Sequence, residues 1–366
     1  MLWLALPAVA ASAYYLLALI AALFWRREQR PATDRPRGVS VLKPVHGRDP
    51  RFYDALVSHA RQDHPEFELL FGVSDPNDPA LEDIHRLERE FPTVPIGVYA
   101  IATDAPNAKA GVLAELSRHA RHPLLLVNDS DIRVEPDYLR TVIAPLEEAT
   151  IGLVTCLYRA HAESWPSRAE ALGIATEFAP SVMVARLLGV AEFALGSTMA
   201  FRAEDLRDMG GFEAIASYLA DDYQLGAHIC ELGRRIEFSD VVVETDLGAG
   251  SWRGVWQHQL RWSRTIRVSR PSGYFGYAVT HATVWALVAF AAGQWPAGVV
   301  ALAIRIAAGL AAGSILHDRA VSRLCWMMPL RDLFGFAVWC GGLFGNQVQW
   351  RGRRLKLRRD GKIDRH

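Results

Sequence analysis

The sequence has little cysteine, little charge and no excess of charge of either sign. Its 366 residues include four cysteines, none in a Cys-x-x-Cys pair, which excludes a disulfide-stapled secreted module and gives no sign of a structural zinc site. The 40 basic residues are balanced by 40 acidic ones, so the basic excess that a nucleic-acid partner normally demands is missing. Charged residues make up 22% and hydrophobic residues 51% of the chain, a balance that excludes a disordered tail protein.

The apolar residues are concentrated at the N-terminus and in the last quarter of the chain. No formally charged residue occurs from Leu2 to Trp25, a run long enough to cross a bilayer as a helix. Basic residues follow this run instead of preceding it, which argues against a cleaved signal peptide. The positive-inside tendency therefore predicts an external N-terminus and a cytoplasmic remainder; the basic residues are Arg26, Arg27, Arg30, Arg35 and Arg37.

Two further apolar runs, 277–292 and 296–316, are joined by a short turn and predict a helical membrane hairpin. Arg305 interrupts the second run. A third stretch, 324–349, contains Pro329, Arg331 and Asp332, and its uninterrupted part is too short to span. We interpret this stretch as interfacial or re-entrant, which returns the basic tail to the cytoplasmic side.

These patterns predict five segments. Between residues 38 and 250, short β-rich runs alternate with helical stretches, which is typical of an α/β domain with a mostly parallel sheet. Tryptophans and arginines interleave after residue 251, as expected of an amphipathic helix in the headgroup layer. The predicted segments are an N-terminal transmembrane anchor (1–25), the α/β domain (38–250), an interfacial segment (251–275), a C-terminal membrane region (276–350) and a basic cytosolic tail (351–366).

Acidic side chains follow two of the predicted strands. Asp75 comes after 69–73, and Asp129 and Asp131 come after the apolar run 124–127. Ligands of parallel α/β sheets bind at such strand ends, and paired carboxylates suit Mg²⁺ or Mn²⁺ bridging a diphosphate. The alternative is a turn with solvated aspartates.

A second acidic pair, Asp221 and Asp222, begins a predicted helix. Such residues can simply stabilise a helix N-terminus. In a dry pocket, one of them could instead act as a general base towards an attacking hydroxyl. Further along, Arg261 and Trp262 could close over a diphosphate, the guanidinium pairing with phosphate and the indole forming a wall.

Taken together, these motifs resemble the membrane-bound, inverting GT-A glycosyltransferases of the ceramide glucosyltransferase family, including bacterial hopanoid-associated relatives. The resemblance covers nearly the whole chain and depends on the order and spacing of its motifs. They are Ser40-Val-Leu-Lys-Pro-Val-His-Gly47, Gly72-Val-Ser-Asp-Pro-Asn-Asp-Pro-Ala80, Asn128-Asp-Ser-Asp-Ile-Arg-Val134, Ala220-Asp-Asp-Tyr223, His258-Gln-Leu-Arg-Trp262 and Trp350-Arg-Gly-Arg-Arg-Leu-Lys-Leu-Arg358.

The resemblance implies a role for each matched residue. Asp75, with Asp78 as a helper, is implied to contact the uracil end of a UDP-sugar, and Lys109 to lie near the nucleotide. Asp129 and Asp131 look like the metal and diphosphate carboxylates, and Asp222 like the catalytic base with Asp221 beside it. Arg261 and Trp262 match the end of the family's Gln/Arg-x-x-Arg-Trp element. His258 occupies its first position, a departure from the family pattern.

The implied activity is transfer of a hexosyl group from a UDP-sugar to a membrane lipid, with ceramide preferred as acceptor. A hopanoid acceptor, with N-acetylglucosamine among the possible sugars, is the first alternative. A processive polysaccharide synthase would need more membrane helices than this sequence offers. A haloacid-dehalogenase-type phosphatase would carry its acidic motif after the first strand, whereas Asp129 and Asp131 follow a later one. A non-catalytic protein that senses nucleotide-sugars would not need the base Asp222, which this sequence keeps.

Overall fold

The computed structural model describes residues 2–25, 37–190 and 192–364. Of the basic residues expected after the first apolar run, only Arg37 lies within these ranges; Arg26, Arg27, Arg30 and Arg35 lie outside them. The described residues form two compact units. We call residues 37–157 and 192–246 the sheet unit, and residues 2–25, 158–190 and 247–364 the helical unit.

Nine strands occur among the described residues. Val- and Leu-rich runs form most of the large sheet, because strands covered on both faces need apolar side chains on both. The strands are β1 (Val39–Val45), β2 (Phe67–Val73), β3 (Ile96–Ala100), β4 (Leu124–Val127), β5 (Ile151–His161), β6 (Met199–Arg202), β7 (Arg235–Asp246), β8 (Gln347–Trp350) and β9 (Arg353–Lys356).

The helices alternate with strands in the first part of the chain and follow one another in the last. They are α1 (Leu6–Leu23), α2 (Phe52–Ala60), α3 (Ala80–Glu90), α4 (Ala108–His119), α5 (Tyr138–Ile143), α6 (Trp165–Gly173), α7 (Ala179–Leu187), α8 (Ala203–Asp208), α9 (Asp221–Glu231), α10 (Trp252–Ser269), α11 (Pro271–Gly276), α12 (Ala282–Ala291), α13 (Trp295–Ile315), α14 (Arg319–Leu324) and α15 (Met328–Gly342). A π-helical segment, Ile174–Phe178, connects α6 to α7.

Seven strands form one sheet in the order β3-β2-β1-β4-β6-β5-β7. β1 pairs in parallel with both β2 and β4, and β2 pairs in parallel with β3. β6 runs antiparallel to its neighbours β4 and β5. The predicted α/β fold with a mostly parallel sheet is therefore confirmed. Because β2 and β4 run in the same direction, their carboxyl ends, which precede Asp75 and Asp129, lie at the same edge of the sheet.

The helical unit contains helices long and apolar enough to cross a membrane. Trp3–Leu23 and Trp295–Ile315 each have 21 residues and meet this criterion, and the bent pair Pro271–Thr280 and Ala282–Ala291 adds a third if it acts as one span. Small residues let α1, α12 and α13 approach closely, with Ala8, Ala286, Ala289 and Ala301 fully buried together.

The first arm of the predicted hairpin differs from the expected single helix. Its beginning, Tyr277–Thr280, is a 3-10 turn, and α12 starts only at Ala282 after a non-helical His281. The Thr280 hydroxyl donates to the carbonyl of Tyr277 at 2.8 Å, a local bond that competes with continuation of an α-helix. The break leaves α12 with 10 residues, too few to cross a membrane alone.

The third apolar stretch forms α15, and the basic tail is folded. α15 has 15 residues, fewer than a spanning helix needs. The tail contributes β9, which pairs antiparallel with β8. Arg264 and Arg267 on α10 donate from their guanidinium groups to backbone carbonyls of residues 343–347, at and just before the start of β8.

Candidate active site

The sheet unit brings three of the predicted carboxylates, Asp129, Asp221 and Asp222, together around Lys109. Lys109 lies in the first turn of α4, with its Nζ 2.8 Å from Oδ1 of Asp129 and 3.2 Å from Oδ2 of Asp221. Burial alone would lower the pKa of Lys109, but the charges of Asp129 and Asp221 outweigh burial and raise it above its ordinary value. Lys109 is therefore a permanently charged link between the end of β4 and the start of α9.

Asn107 explains how this link forms. It caps α4 by accepting a hydrogen bond from the backbone N–H of Ala110 at 3.2 Å, the standard role of asparagine at a helix start. Its side-chain amide also donates to the carbonyl of Tyr218 at 2.8 Å. One buried residue thus ties the start of α4 to the loop that leads into α9. An asparagine directly before a helical run is a recognisable cap signal, but its contact with Tyr218 is not readable from the sequence.

Asp222 is held at the start of α9 by backbone donors. Its Oδ2 accepts from the N–H of Gly196 at 3.1 Å, and its Oδ1 from the N–H of Tyr223 at 2.7 Å. Burial and the charge of Asp221 raise its pKa to about 6, although Lys109 partly opposes the shift. A carboxylate with this pKa is ionised at neutral pH and is a stronger base than an exposed aspartate.

Gly196 forms the floor of the same small space. A Cβ at this position would lie 3.3 Å from Oδ2 of Asp129, 3.5 Å from Oδ2 of Asp222 and 3.7 Å from Nζ of Lys109. The carboxylates of Asp129 and Asp222 therefore face one point from two different parts of the chain. Gly196 is followed by two further small residues, Ser197 and Thr198, but only the fold shows that a side chain at Gly196 would meet these charged groups.

Asp131 is a separate, partly buried carboxylate near Lys43. The Thr245 hydroxyl donates to Oδ2 of Asp131, while burial and the charge of Asp129 raise the pKa of Asp131 to about 6. Lys43 is fully buried on β1 and donates to the backbone carbonyl of Asp129 at 3.2 Å. Burial lowers its pKa to about 7 against the opposing charges of Asp131 and Asp129. A lysine inside an apolar strand was the available signal for Lys43, which the sequence interpretation left without a role.

The carboxylates of Asp129 and Asp131 fit a divalent ion that a phosphate ligand completes. Among the described residues, no group of three or more His, Cys, Asp or Glu side chains could hold a metal unaided. Mg²⁺ commonly takes one or two protein carboxylates and completes its shell with phosphate oxygens and water. The raised pKa of Asp131 beside Asp129 is the expected response of carboxylates whose negative charge is incompletely neutralised.

The two other predicted donor contacts in this unit differ from each other. Asp75 is exposed, and its Oδ1 accepts from the N–H of Asn77 at 2.9 Å in the turn after β2. Asp78 is 7% exposed, and its carboxylate accepts from the N–H of Ala80 at 2.9 Å and of Gly47 at 2.8 Å. Asp78 therefore joins two loops of the fold.

His258, Arg261 and Trp262 lie on α10 in the helical unit. Nδ1 of His258 is 2.7 Å from Oε1 of Glu170 on α6. The rings of His258 and Trp262 have centroids 4.6 Å apart, and Trp262 also packs on Phe178 with centroids at 6.3 Å. Glu170 had no role in the sequence interpretation, since a lone glutamate in a helix is usually solvated.

Comparison with known proteins identifies the family. A family model described as glycosyl transferase family 21 matches residues 2–363. Ceramide glucosyltransferase 1 of Caenorhabditis elegans is 28% identical over 197 residues, which cover 51% of this chain and 40% of that protein. The ceramide glucosyltransferase of Candida albicans is 31% identical over 122 residues, covering 30% of this chain and 22% of that protein. The matched part thus spans less than half the length of these relatives.

A solved structure supports the fold. The chain resembles a mannosyltransferase from Pyrobaculum calidifontis, whose structure contains GDP-Man and Mn²⁺, with a TM-score of 0.57 and 20% identity over 93% of this chain and 99% of that one. At this identity the likeness supports the GT-A fold alone. The family match covers almost the entire chain and confirms the resemblance inferred from the motifs, which excludes the phosphatase alternative. The chain belongs to glycosyl transferase family 21.

Proposed function

We propose that this enzyme transfers a hexosyl group from a UDP-sugar to the hydroxyl of a membrane lipid with inversion at the anomeric carbon. A ceramide-type acceptor and glucose fit the names of the relatives. The observation that carries the proposal is the convergence of Asp129, Asp222 and Lys109 around Gly196. It provides a base and a diphosphate-facing carboxylate within one small space.

The proposed chemistry follows from the charges of these groups. Asp222 takes the proton of the acceptor hydroxyl as its oxygen attacks, a contribution of about 10² to 10⁴ in rate. The backbone donors of Gly196 and Tyr223 hold its carboxylate in place, and Lys109 holds Asp129 and Asp221. When bound by Asp129 and Asp131, Mg²⁺ or Mn²⁺ supplies positive charge that stabilises the diphosphate leaving group.

The donor contacts carried by the resemblance complete the proposal. Asp75, exposed after β2, binds the uracil end of the donor. Arg261 and Trp262 bind the diphosphate, the guanidinium by charge-assisted hydrogen bonds and the indole by packing. Asp78 contributes by holding the loop that follows Asp75, since both of its carboxylate oxygens accept backbone hydrogen bonds.

The proposed location is a bacterial-type inner membrane with the sheet unit in the cytoplasm. The apolar helices Trp3–Leu23 and Trp295–Ile315 support a membrane protein, and the positive-inside rule supports the orientation. A membrane-embedded acceptor and a soluble cytoplasmic donor would then both be available to the enzyme.

Lipid mass spectrometry on cells that express the protein tests this function. Three forms are compared: the unchanged chain, Asp222→Asn, and Asp208→Asn as a matched control at an exposed carboxylate of α8. We expect a new hexosyl-ceramide with the unchanged chain and with the control, and none with Asp222→Asn. A hexosylated hopanoid would replace ceramide as the acceptor. Undiminished product from Asp222→Asn would overturn the base assignment, and no UDP-sugar turnover with any lipid would overturn the function.

A further inference from the structure

Helix α10 turns two polar side chains towards a single buried carboxylate. Oε1 of Glu170 is 2.7 Å from Nδ1 of His258 and 3.4 Å from Nε2 of Gln259. Glu170 is 4% exposed, and a carboxylate so far from water requires donors to offset its lost hydration. Two consecutive residues of α10 supply them. Because its partner is a carboxylate, Nδ1 of His258 carries the hydrogen of this bond, which fixes the orientation of the imidazole.

The same face of α10 is fastened to α15. Oε1 of Gln259 accepts from Nη2 of Arg331 at 2.7 Å, and Nη2 of Arg331 is also 3.2 Å from Oε2 of Glu177. All four side chains lie within the helical unit and are less than one tenth exposed. Polar networks of this kind define one arrangement of the surrounding helices, because a shifted helix would leave buried groups unpaired.

The fixed imidazole supports the next turn of α10. Trp262 follows His258 by four residues, and positions four apart are neighbours on a helix surface. Their rings have centroids 4.6 Å apart at an interplanar angle of 58°. Trp262 also packs against Phe178, which belongs to the π-helical segment between α6 and α7. Arg261 lies in the same turn as Trp262, so rotation of α10 would move its guanidinium group too.

We infer that Glu170 is a positioning residue for donor binding, which acts by fixing His258 and through it the placement of Trp262 and Arg261. The inference depends on the proposed function, since it takes the donor to be a UDP-sugar bound by Arg261 and Trp262. It also gives a reason for the histidine at this position. In this chain the imidazole of His258, held by the buried carboxylate of Glu170, occupies the position where the family pattern has glutamine or arginine.

Donor binding and kinetics on the purified full-length protein test the inference. UDP binding is measured by calorimetry, and kcat and KM for the UDP-sugar are measured for the unchanged chain, Glu170→Ala, Glu170→Gln, His258→Gln and the double variant Glu170→Ala/His258→Gln. We expect Glu170→Ala to raise KM for the donor about 10-fold to 100-fold, as small misplacements of binding groups do. Glu170→Gln keeps the shape of the side chain and should raise KM for the donor less than Glu170→Ala does. If Glu170 acts through His258, the alanine change should add less than about threefold in the His258→Gln background.

Asp332→Asn serves as the control for a general loss of packing, because it removes the charge of a buried ion pair with Arg305 elsewhere in the helical unit, and the contacts of Asp332 with Arg305 and Thr283 do not involve α10. It should lower the melting temperature while leaving KM for the donor nearly unchanged. Three results would each overturn the inference: equal increases of donor KM in Asp332→Asn and Glu170→Ala, full additivity of Glu170→Ala with His258→Gln, or unchanged UDP binding in Glu170→Ala. Absence of UDP binding by the unchanged chain would instead overturn the proposed function.

Discussion

At the scale of single residues, the candidate site is controlled by the balance between burial and neighbouring charge. Asp222 and Asp131 are both partly buried near other carboxylates, and both have a pKa raised to about 6. Lys109 lowers the pKa of Asp222. Lys109 therefore favours the ionised form of Asp222, the form in which a carboxylate can act as a base.

We expect kcat/KM to fall as the pH drops through about 6, because Asp222 becomes protonated there. Replacing Lys109 by Met removes the charge that lowers this pKa, so the acid limb of the profile should move to higher pH. The pH dependence of transfer in both proteins is the measurement. Asp131 has a similar pKa, so Asp131→Asn shows which aspartate titrates. If Asp222 is the source of the acid limb, the limb should persist in Asp131→Asn. An acid limb that stays in place in Lys109→Met contradicts the assignment.

Gly196→Ala should reduce transfer while changing stability little. The added methyl would lie 3.3 Å from Oδ2 of Asp129, a close contact that requires this carboxylate to shift by a few tenths of an ångström, and 3.5 Å from Oδ2 of Asp222, an ordinary van der Waals contact. A misplacement of about 1 Å can lower a rate by about 10²-fold, so this smaller shift should lower the rate of transfer by about 10-fold. The control is Gly276→Ala, where nothing lies within 4 Å of the added carbon. Equal activity of the two variants would show that the space above Gly196 is not used.

At the scale of secondary-structure elements, some side chains that the sequence motifs suggest for donor binding instead hold loops in place. Asp78 is the clearest example. Its motif resembles a donor-binding segment, yet both carboxylate oxygens accept backbone N–H groups at the start of α3 and in the loop after β1. Its neighbour Asp75 is exposed and free of this double constraint.

Asp78→Ala should lower the free energy of unfolding by about 1 to 3 kcal/mol, because a buried charged acceptor of two backbone bonds is lost. Asp75→Ala should leave stability unchanged within about 0.5 kcal/mol, as expected at an exposed position, and raise KM for the UDP-sugar. Denaturant unfolding and donor kinetics on both variants provide the comparison. The opposite pattern, with the larger stability loss in Asp75→Ala, would contradict these two roles.

At the scale of the whole molecule, the helical unit carries a charge inside one of its apolar helices. Arg305 lies on α13 and is 1% exposed. Its guanidinium contacts both carboxylate oxygens of Asp332 on α15, at 2.7 Å and 3.1 Å, and lies over the ring of Tyr15 on α1. An ionised side chain in apolar surroundings needs a partner, and here the partner is on another helix.

Arg305→Met should destabilise the protein by about 3 to 5 kcal/mol, because Asp332 remains buried without its counterion. The double change Arg305→Met/Asp332→Asn should recover most of this loss, since no uncompensated charge is left. Thermal unfolding in detergent measures both effects. A double variant no more stable than Arg305→Met would show that the pair does not act as a buried unit.

The amino-acid pattern alone was sufficient for the fold class and the family, and it supplied the candidate acidic residues of the site. Alternating strands and helices predicted the parallel sheet, and the apolar runs at the N-terminus and in the last quarter predicted the helices Trp3–Leu23 and Trp295–Ile315. The acidic motifs were found because hydrophobic periodicity and strand ends are local properties of the chain. The predicted domain boundaries, site roles and membrane orientation remain predictions.

Only the tertiary structure decided which residues meet. Lys109 and Asp221 form an ion pair although more than a hundred residues separate them in the sequence. Glu170 on α6 pairs with His258 on α10. The broken first arm of the hairpin, the folded tail and the structural role of Asp78 likewise depend on contacts between distant segments. Burial and pairing set the charge state of a side chain, and both arise only when the chain has folded.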